Sequence, residues 1–409
     1  MSQMSQRINS PISTPELERR WALVRKAMEE WEIDVLLMQN NNDHMGGYTK
    51  YFTDVPASNG YPDTVVFPAD GLMTVVKQGP FGLEKEIDPS GSDGFNRGVG
   101  RIMTTPSYES APYTKNYDPE LVCRVLGDYA GGTIGLVGTY QMSFALVEYI
   151  KSEIPNTKFI EASEMVDRVK VIKSTEELEL IRGTASQQDS QMTAVIEKIE
   201  PGMRDSDVAA IAQFEGNLLG SEQGVYLCQS YTFGEPTEIG PRHIQDRVIN
   251  EGDIFNMLVE SNGPGGYFTE IGRTIVVGDT TDNVIETLES ELAFTLEAQR
   301  FTLNMLRPGA KCSEIWEAFN QFMTENSKQE EGRLYCHGQG YDMVERPLVR
   351  FDETINISEN MNIVCHPGYK TDSVFSWICD NYIVGENGVR ESIHKLPQKI
   401  FRSGEVSLY

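Results

Sequence analysis

Residues 251–278 read EGDIFNMLVESNGPGGYFTEIGRTIVVG, and this stretch decides the fold of the second half of the chain. It holds two long runs, DIFNMLVES and YFTEIGRTIVVG, whose β-branched and aromatic residues are typical of strands. Helical patterns precede and follow these two runs. The order of elements, helices combined with antiparallel strands, predicts an α+β domain.

A helical segment upstream of this stretch marks the start of the domain. In residues 169–202, VKVIKSTEELELIRGTASQQDSQMTAVIEKIEPG, Ser174 and Glu177 have the spacing of a capping box, and the helical pattern runs to the final Pro-Gly. We therefore predict a C-terminal domain over residues 169–409. Further helices are expected to start near Asp205 and to lie around residues 283–305 and 313–326.

The first part of the chain has a different organisation. Thr14 and Pro15 form a helix-start signal, and the run IDVLLMQN that follows this helix suits a buried strand. TVVFPADGLMTVVK predicts a hairpin around Asp70 and Gly71, and TIGLVG predicts another buried strand. We predict an N-terminal α/β domain over residues 1–168.

Charge and composition exclude several classes of partner. The 409 residues carry a formal net charge of −26, so the chain lacks the basic surface that nucleic acids and acidic membranes require. The same field would attract cationic or zwitterionic small molecules. The six cysteines form no CxxC pair, and no apolar run has the length of a signal peptide core or a membrane span. We therefore expect reduced thiols and a cytoplasmic protein.

Four stretches, taken in order, resemble the pita-bread family that includes methionine aminopeptidase, prolidase, aminopeptidase P and creatinase. They are VIKSTEELELIR, the hairpin at 251–278, HGQGYDMVERP, and the pair MNIVCHPGY and WICDNYIVGENG. The resemblance implies a C-terminal pita-bread catalytic domain that follows a creatinase-like N-terminal α/β domain. It also implies a homodimer with a small-molecule substrate.

The resemblance places metal-binding positions on residues that have changed. In the family's peptidases two Asp, one His and two Glu surround two divalent ions. The matching residues here are Glu260, Glu270, His337, His366 and Cys379. Only the histidine is unchanged, and two oxygen ligands are replaced by imidazole and thiol. Because bridging carboxylates hold two hard cations together, we predict that a dinuclear site is absent and that ordinary metallopeptidase activity is lost.

Two members of the family that this chain resembles, creatinase and ectoine hydrolase, cleave small nitrogen compounds without metal. The resemblance therefore implies a metal-independent hydrolase, without a cofactor, that cleaves a C–N bond in a small polar or zwitterionic compound. His337 and His243 would move protons, Glu260 would attack or orient water, and Glu270 and Glu345 would position the substrate. The expected substrate-binding residues are Arg346, Tyr267, His366 and Cys379.

Two alternatives stay open. The softer ligand set Glu270, His337, His366 and Cys379 suits a single zinc or iron ion, which would make the chain a mononuclear lyase or hydrolase of the dimethylsulfoniopropionate-lyase or Xaa-Pro dipeptidase type. The other alternative is a binding protein without catalysis, because members of this fold have lost the ligands and kept the fold. His44 and His394 lie outside the motifs and are expected at the surface.

Overall fold

The computed structural model describes residues 12–58, 60–91, 95–106, 108–240 and 246–405. These residues divide into two compact units, one over residues 12–170 and the other over residues 171–405. Within the described residues, no helix combines the length and the apolar character that crossing a membrane requires.

The N-terminal unit is built on a seven-stranded mixed sheet. Its strands have the order β4-β5-β3-β2-β1-β6-β7, and β1 pairs antiparallel with β2 and parallel with β6. The elements are α1 (Thr14–Glu30), β1 (Val35–Asn40), α2 (Gly47–Thr53), β2 (Asp63–Pro68), β3 (Met73–Gln78), β4 (Glu84–Glu86), β5 (Val99–Thr105), α3 (Tyr117–Leu126), β6 (Thr133–Val137), α4 (Phe144–Glu153), β7 (Lys158–Glu161) and α5 (Ser163–Lys170).

Local sequence signals account for the first elements of this unit. Helix α1 begins at Thr14 as predicted, and the Ser13 hydroxyl accepts the backbone N–H of Glu16 at 3.2 Å, which satisfies one free donor of the first turn. The hairpin of β2 and β3 is also confirmed. Its turn contains Gly71 at φ +100°, a left-handed conformation that a side chain would strain.

The C-terminal unit combines long helices with two main antiparallel sheets. Their strand orders are β18-β10-β9-β8 and β12-β11-β13-β16-β17, with a small β14-β15 pair beside them. The elements are α6 (Thr175–Lys198), α7 (Asp205–Leu219), β8 (Gly224–Tyr231), β9 (Ile254–Asn262), β10 (Phe268–Val276), α8 (Asp282–Met305), α9 (Cys312–Glu325), β11 (Cys336–Gly338), β12 (Glu345–Leu348), β13 (Asn362–Cys365), β14 (Gly368–Lys370), β15 (Phe375–Trp377), β16 (Asp380–Gly385), β17 (Gly388–Ser392) and β18 (Ile400–Arg402).

Two features of this unit position the site. The capping box predicted at the start of α6 is present, and α6 packs against β9 and β10. All residues of β9 and β10 are buried. A bridge between Gly272 and Cys379 joins β10 to the start of β16, so the two main sheets meet there. The predicted α+β architecture is confirmed, and the candidate site residues lie where its sheets meet.

Candidate functional site

Two buried glutamates form the centre of the site. Glu260 on β9 and Glu270 on β10 are directly paired in the antiparallel register, so their side chains leave the same face of the sheet. Their side chains are 7% and 4% exposed. In the described part of the chain, neither carboxyl forms an ion pair with a lysine or arginine. Two acidic groups are therefore held together without a cationic side chain.

The amide of Gln339 lies between these two carboxyl groups. Its Nε2 donates to Glu260 Oε1 at 3.0 Å and to Glu270 Oε2 at 3.3 Å. Gln339 is fully buried and lies two positions after His337, so it follows the strand β11 that carries the histidine. One neutral NH₂ group thus bridges both acids.

A chain of hydrogen bonds determines which end of the Gln339 amide faces the acids. The backbone N–H of Glu270 donates to Asn381 Oδ1 at 2.8 Å, and a backbone N–H can only donate. Asn381 therefore presents its NH₂ to Gln339 Oε1, at 2.8 Å. Because the carbonyl oxygen of Gln339 accepts this bond, its NH₂ faces the two glutamates.

His337 stands beside Glu270 as a neutral imidazole. Its Nδ1 donates to the carbonyl oxygen of Gly338 at 2.9 Å, so Nε2 carries a lone pair. Nε2 lies 3.9 Å from Glu270 Oε2. Burial lowers the pKa of His337 to about 4. The imidazole therefore stays neutral, and its Nε2 lone pair can accept a hydrogen bond from a protonated Glu270 after a movement of about 1 Å.

The same burial favours the protonated form of both glutamates. Burial raises the pKa of Glu270 to about 7, against a smaller opposing effect of the Cys379 thiol and Arg333. Burial, together with repulsion from Glu270, raises the pKa of Glu260 well above its usual value, although the Gln339 amide works against this rise. Near neutral pH, the pair therefore retains at least one proton.

His366 and Cys379 lie on either side of this centre. The rings of His337 and His366 meet edge to face with centroids 5.4 Å apart, and burial lowers the pKa of His366 well below its usual value. The Cys379 Sγ donates to the backbone oxygen of Glu270 at 3.5 Å. Burial also raises the pKa of the Cys379 thiol well above its usual value, so it stays protonated.

The donor atoms of the site suit one of the metal ions that the resemblance implies, but not a pair of them. Ligand atoms of Glu270, His337 and His366 lie within 4.8 Å of one another, a set that suits one zinc or ferrous ion. Cys379 is not a member of this group. A second ion would need oxygen atoms between Glu260 and Glu270, where the Gln339 NH₂ directs its hydrogens. The residues fit one metal ion and do not fit two.

Three other predicted site residues are engaged by neighbouring side chains. Glu345 forms a buried ion pair with Lys173. Arg346 donates from Nε to Glu353 at 3.0 and 3.2 Å, which holds its guanidinium against its own segment. The Tyr267 hydroxyl donates to Glu177 at 2.8 Å. His243 lies outside the described residues.

The expectation of a surface position is wrong for His394, which is 5% exposed. The chain after β17 folds back on α6. As a result, His394 Nδ1 accepts the N–H of Asn381 at 3.3 Å and Nε2 donates to Gln188 at 3.1 Å. His44 is half-buried.

Sequence reasoning missed Gln339 and Asn381. Period-two alternation was the available signal, because residue 339 shares a strand face with His337 and residue 381 shares one with Cys379. Arg333 was also missed. It lies in the irregular segment before β11, its positive charge lowers the pKa of Glu270, and a bidentate ion pair holds it to Glu331.

With this geometry in place, comparison with known proteins identifies the family. Residues 179–392, more than half of the chain, match the model of metallopeptidase family M24. The chain belongs to this family. The recognition made from the four motif stretches is confirmed, and the chain is an M24-family hydrolase by descent.

Individual relatives agree with this assignment. The chain is 25% identical over 268 residues to a Xaa-Pro dipeptidase of Pyrococcus furiosus, which covers 63% of this chain and 72% of that protein. It is 24% identical over 315 residues to a creatinase of a Bacillus species, covering 67% and 72%. An X-Pro aminopeptidase structure from Thermotoga maritima has a TM-score of 0.73 at 18% identity over 93% of this chain and 99% of that one. The pita-bread fold is thereby confirmed.

Proposed function

We propose that this M24 protein hydrolyses a C–N bond in a small polar or zwitterionic compound by acid–base catalysis, without a dinuclear metal centre. The observation that supports this most strongly is the position of the Gln339 amide. It lies between Glu260 and Glu270 and donates to both.

The chemistry of two adjacent buried acids explains why this observation matters. Two carboxylates in a site of low polarity need a cation, a shared proton or both to offset their repulsion. The Gln339 amide supplies hydrogen bonds but no charge. Burial raises the pKa values of both glutamates, and repulsion from Glu270 raises that of Glu260 further, so protons supply the compensation. A pair that holds protons near neutral pH is suited to proton transfer.

The two pKa values favour different roles for the two acids. Burial and repulsion from Glu270 raise the pKa of Glu260 well above its usual value, which suits a general acid, whereas burial raises the pKa of Glu270 to about 7, which suits a general base. This assignment departs from the role of nucleophile or water-orienting base expected for Glu260 from the sequence. A protonated carboxyl is a poor nucleophile.

The proposed reaction balances as follows. Glu270 takes a proton from water as the oxygen forms its bond to the substrate carbon. The C–N bond breaks, and the nitrogen takes the proton of Glu260. The proton on Glu270 then returns to Glu260, and the neutral His337, whose Nε2 lies 3.9 Å from Glu270, can accept a hydrogen bond from the protonated Glu270. Water is consumed, and the products are an amine and a fragment whose carbon carries the oxygen of the water.

The surroundings favour a small substrate. His337, Glu260 and Glu270 are all at least nine-tenths buried, which favours a small substrate. The same burial makes the charged form of the histidine costly. The net charge of −26 favours compounds that carry a positive group. Homodimeric assembly, which the resemblance implies, is part of the proposal.

A mononuclear metal enzyme is the second candidate, because Glu270, His337 and His366 converge. A bound zinc or ferrous ion would polarise water or a substrate oxygen. His337 would bind through Nε2, since its Nδ1 donates to Gly338. In this candidate, Glu260 and Gln339 would orient the substrate.

Amine release from a panel of compounds tests the proposal. The panel contains an Xaa-Pro dipeptide, a carboxylated amidine and a carboxylated urea, each assayed with chelator and with added manganese, zinc or ferrous ion. We expect turnover of an amidine or urea that chelator does not reduce. Cleavage of the dipeptide alone, or turnover that chelator abolishes and metal restores, would contradict it. The second outcome would support the mononuclear candidate.

A further inference from the structure

The N-terminal unit contains a cavity of about 170 Å³ that lies far along the chain from the glutamate pair. It is enclosed between one face of the sheet and helix α2. Val65 on β2, Val75 on β3 and Val99 on β5 form its apolar floor, and Thr49 and Thr53 of α2 face it from the other side. An apolar cavity of comparable size, about 150 Å³, accommodates benzene in another protein, so the volume suits a ligand of similar size.

Two opposite charges line this cavity at neighbouring positions. Asp63 begins β2, and Lys77 lies near the end of β3. The register pairs Thr64 with Val76, so the next pair along the strands is Asp63 and Lys77. Alternation places Asp63 on the same face as Val65, and Lys77 on the same face as Val75.

These two side chains influence each other without direct contact. The positive charge of Lys77 lowers the pKa of Asp63, which burial raises to about 6. Nevertheless, the described residues include no ion pair within 4.0 Å for either side chain. Both are half-buried. A carboxylate and an ammonium group therefore face a shared space with a gap between them.

We propose that this cavity is a second ligand site, which binds a small zwitterion with its ammonium on Asp63, its carboxylate on Lys77 and its methylene groups on the valine floor. Each end of such a ligand meets an opposite charge in a half-buried setting, where charged hydrogen bonds are stronger than in water. A ligand with only one charge would leave the other protein charge without a partner. The site is independent of the glutamate pair and of the reaction proposed there.

Calorimetric titration of the full-length protein at pH 8, where Asp63 is ionised, tests this inference. The probes are γ-aminobutyrate, butylamine and butyrate. We expect γ-aminobutyrate to bind at a single site in the N-terminal unit, and each singly charged probe to bind at least about tenfold more weakly. Equal affinity for butylamine and γ-aminobutyrate, or no binding of γ-aminobutyrate at millimolar concentration, would overturn the proposal.

Variants then locate the site. Asp63→Asn and Lys77→Met should each weaken γ-aminobutyrate binding at least about tenfold. The exposed controls Asp70→Asn and Lys85→Met, in the same sheet region, should bind as wild type does. Glu270→Gln should also retain binding, and loss of binding in that variant would place the ligand at the glutamate pair and overturn the inference. Two separate variants keep the test decisive if either one fails to fold.

Discussion

Two buried polar clusters share strand β10 but are built in opposite ways. The structural cluster is Arg273, Asp380 and His394. The site cluster is Glu260, Glu270 and Gln339. Alternation along β10 separates them, because Glu270 and Arg273 lie an odd number of positions apart and so point to opposite faces. Both clusters are buried, so the difference between them lies in charge compensation.

The structural cluster pairs each charge. Arg273 donates to the two carboxylate oxygens of Asp380 at 2.8 and 3.1 Å and also to several backbone carbonyls. The site cluster has two acids that receive bonds from one neutral amide. Strand β10 thus carries a fully paired cation, Arg273, on one face. On its other face, Glu270 has no lysine or arginine ion pair among the described residues. Uncompensated buried acids of this kind are found mainly at functional sites, which supports the assignment of chemistry to Glu260 and Glu270.

The largest expected effect comes from removing an acid of the site cluster. Glu260→Gln and Glu270→Gln should each lower kcat by about 10²–10⁴-fold, the range for loss of a general acid or base. Turnover of the amidine or urea found in the panel is the measurement. The matched control is Glu289→Gln on the exposed side of α8, which should keep full activity. Wild-type turnover by Glu260→Gln would remove Glu260 from the mechanism.

Breaking the structural cluster should act on folding. Arg273→Met leaves Asp380 buried without its cation, so we expect the free energy of unfolding to fall by about 3–5 kcal/mol. Denaturant unfolding measures this loss. Arg350→Met, which removes an exposed ion pair with Asp352, serves as control and should have no measurable effect. A loss below about 1 kcal/mol in Arg273→Met would show that the ion pair of the structural cluster does not stabilise the fold, which would contradict the contrast between the two clusters.

The site cluster should instead reduce stability at high pH. The pKa of Glu270 is raised from 4.5 to about 7, so between these values the folded state binds more protons than the unfolded state, and stability falls as pH rises. The loss is on the order of 3 kcal/mol once the pH exceeds 7. Glu270→Gln should make this dependence shallower by the contribution of Glu270, and the dependence that remains comes from Glu260. Unfolding curves between pH 5 and pH 8 check it, and a Glu270→Gln variant that retains the slope would contradict the shift.

The smallest predicted effect is a shift of one limb of the pH profile. If Glu270 is the base, kcat/KM should rise as pH passes through about 7, and it should fall at higher pH where Glu260 loses its proton. The Gln339 amide lowers the pKa of Glu260. Gln339→Leu should therefore raise this pKa and move only the high-pH limb, toward higher pH. Gln39→Leu, which removes a buried amide in the N-terminal unit, is the control. A shift of the low-pH limb would contradict these roles.

Much of the fold was predictable because local signals agreed with tertiary packing. The capping box at Ser174 and Glu177, the hairpin turn at Gly71 and the β-branched and aromatic runs of β9 and β10 each act over a few residues, and all three predictions are confirmed. The four motif stretches identified the family, and with it the positions of the five site residues.

The polar network was not predictable in the same way. Gln339 and Asn381 act through contacts between strands that are distant in sequence, and the direction of the Gln339 amide depends on a backbone N–H of a third strand. Residue type alone does not report such contacts. Arg346 is a case in which a local contact matters. The sequence suggested that this arginine binds a substrate carboxylate, but Glu353, seven positions later, holds its guanidinium. Burial of His394 depends on the chain folding back on α6.

The metal content of the protein, purified without added metal or chelator, tests the central claim most directly. Elemental mass spectrometry measures it, before and after dialysis against manganese, zinc or ferrous ion. If the Gln339 amide takes the place between Glu260 and Glu270, a second ion should not bind; if protons also take the place of an ion at Glu270, bound metal should stay below about a tenth of an equivalent, and chelator should leave turnover unchanged. About two equivalents that survive dialysis would contradict the account, and about one would move the chemistry to Glu270, His337 and His366.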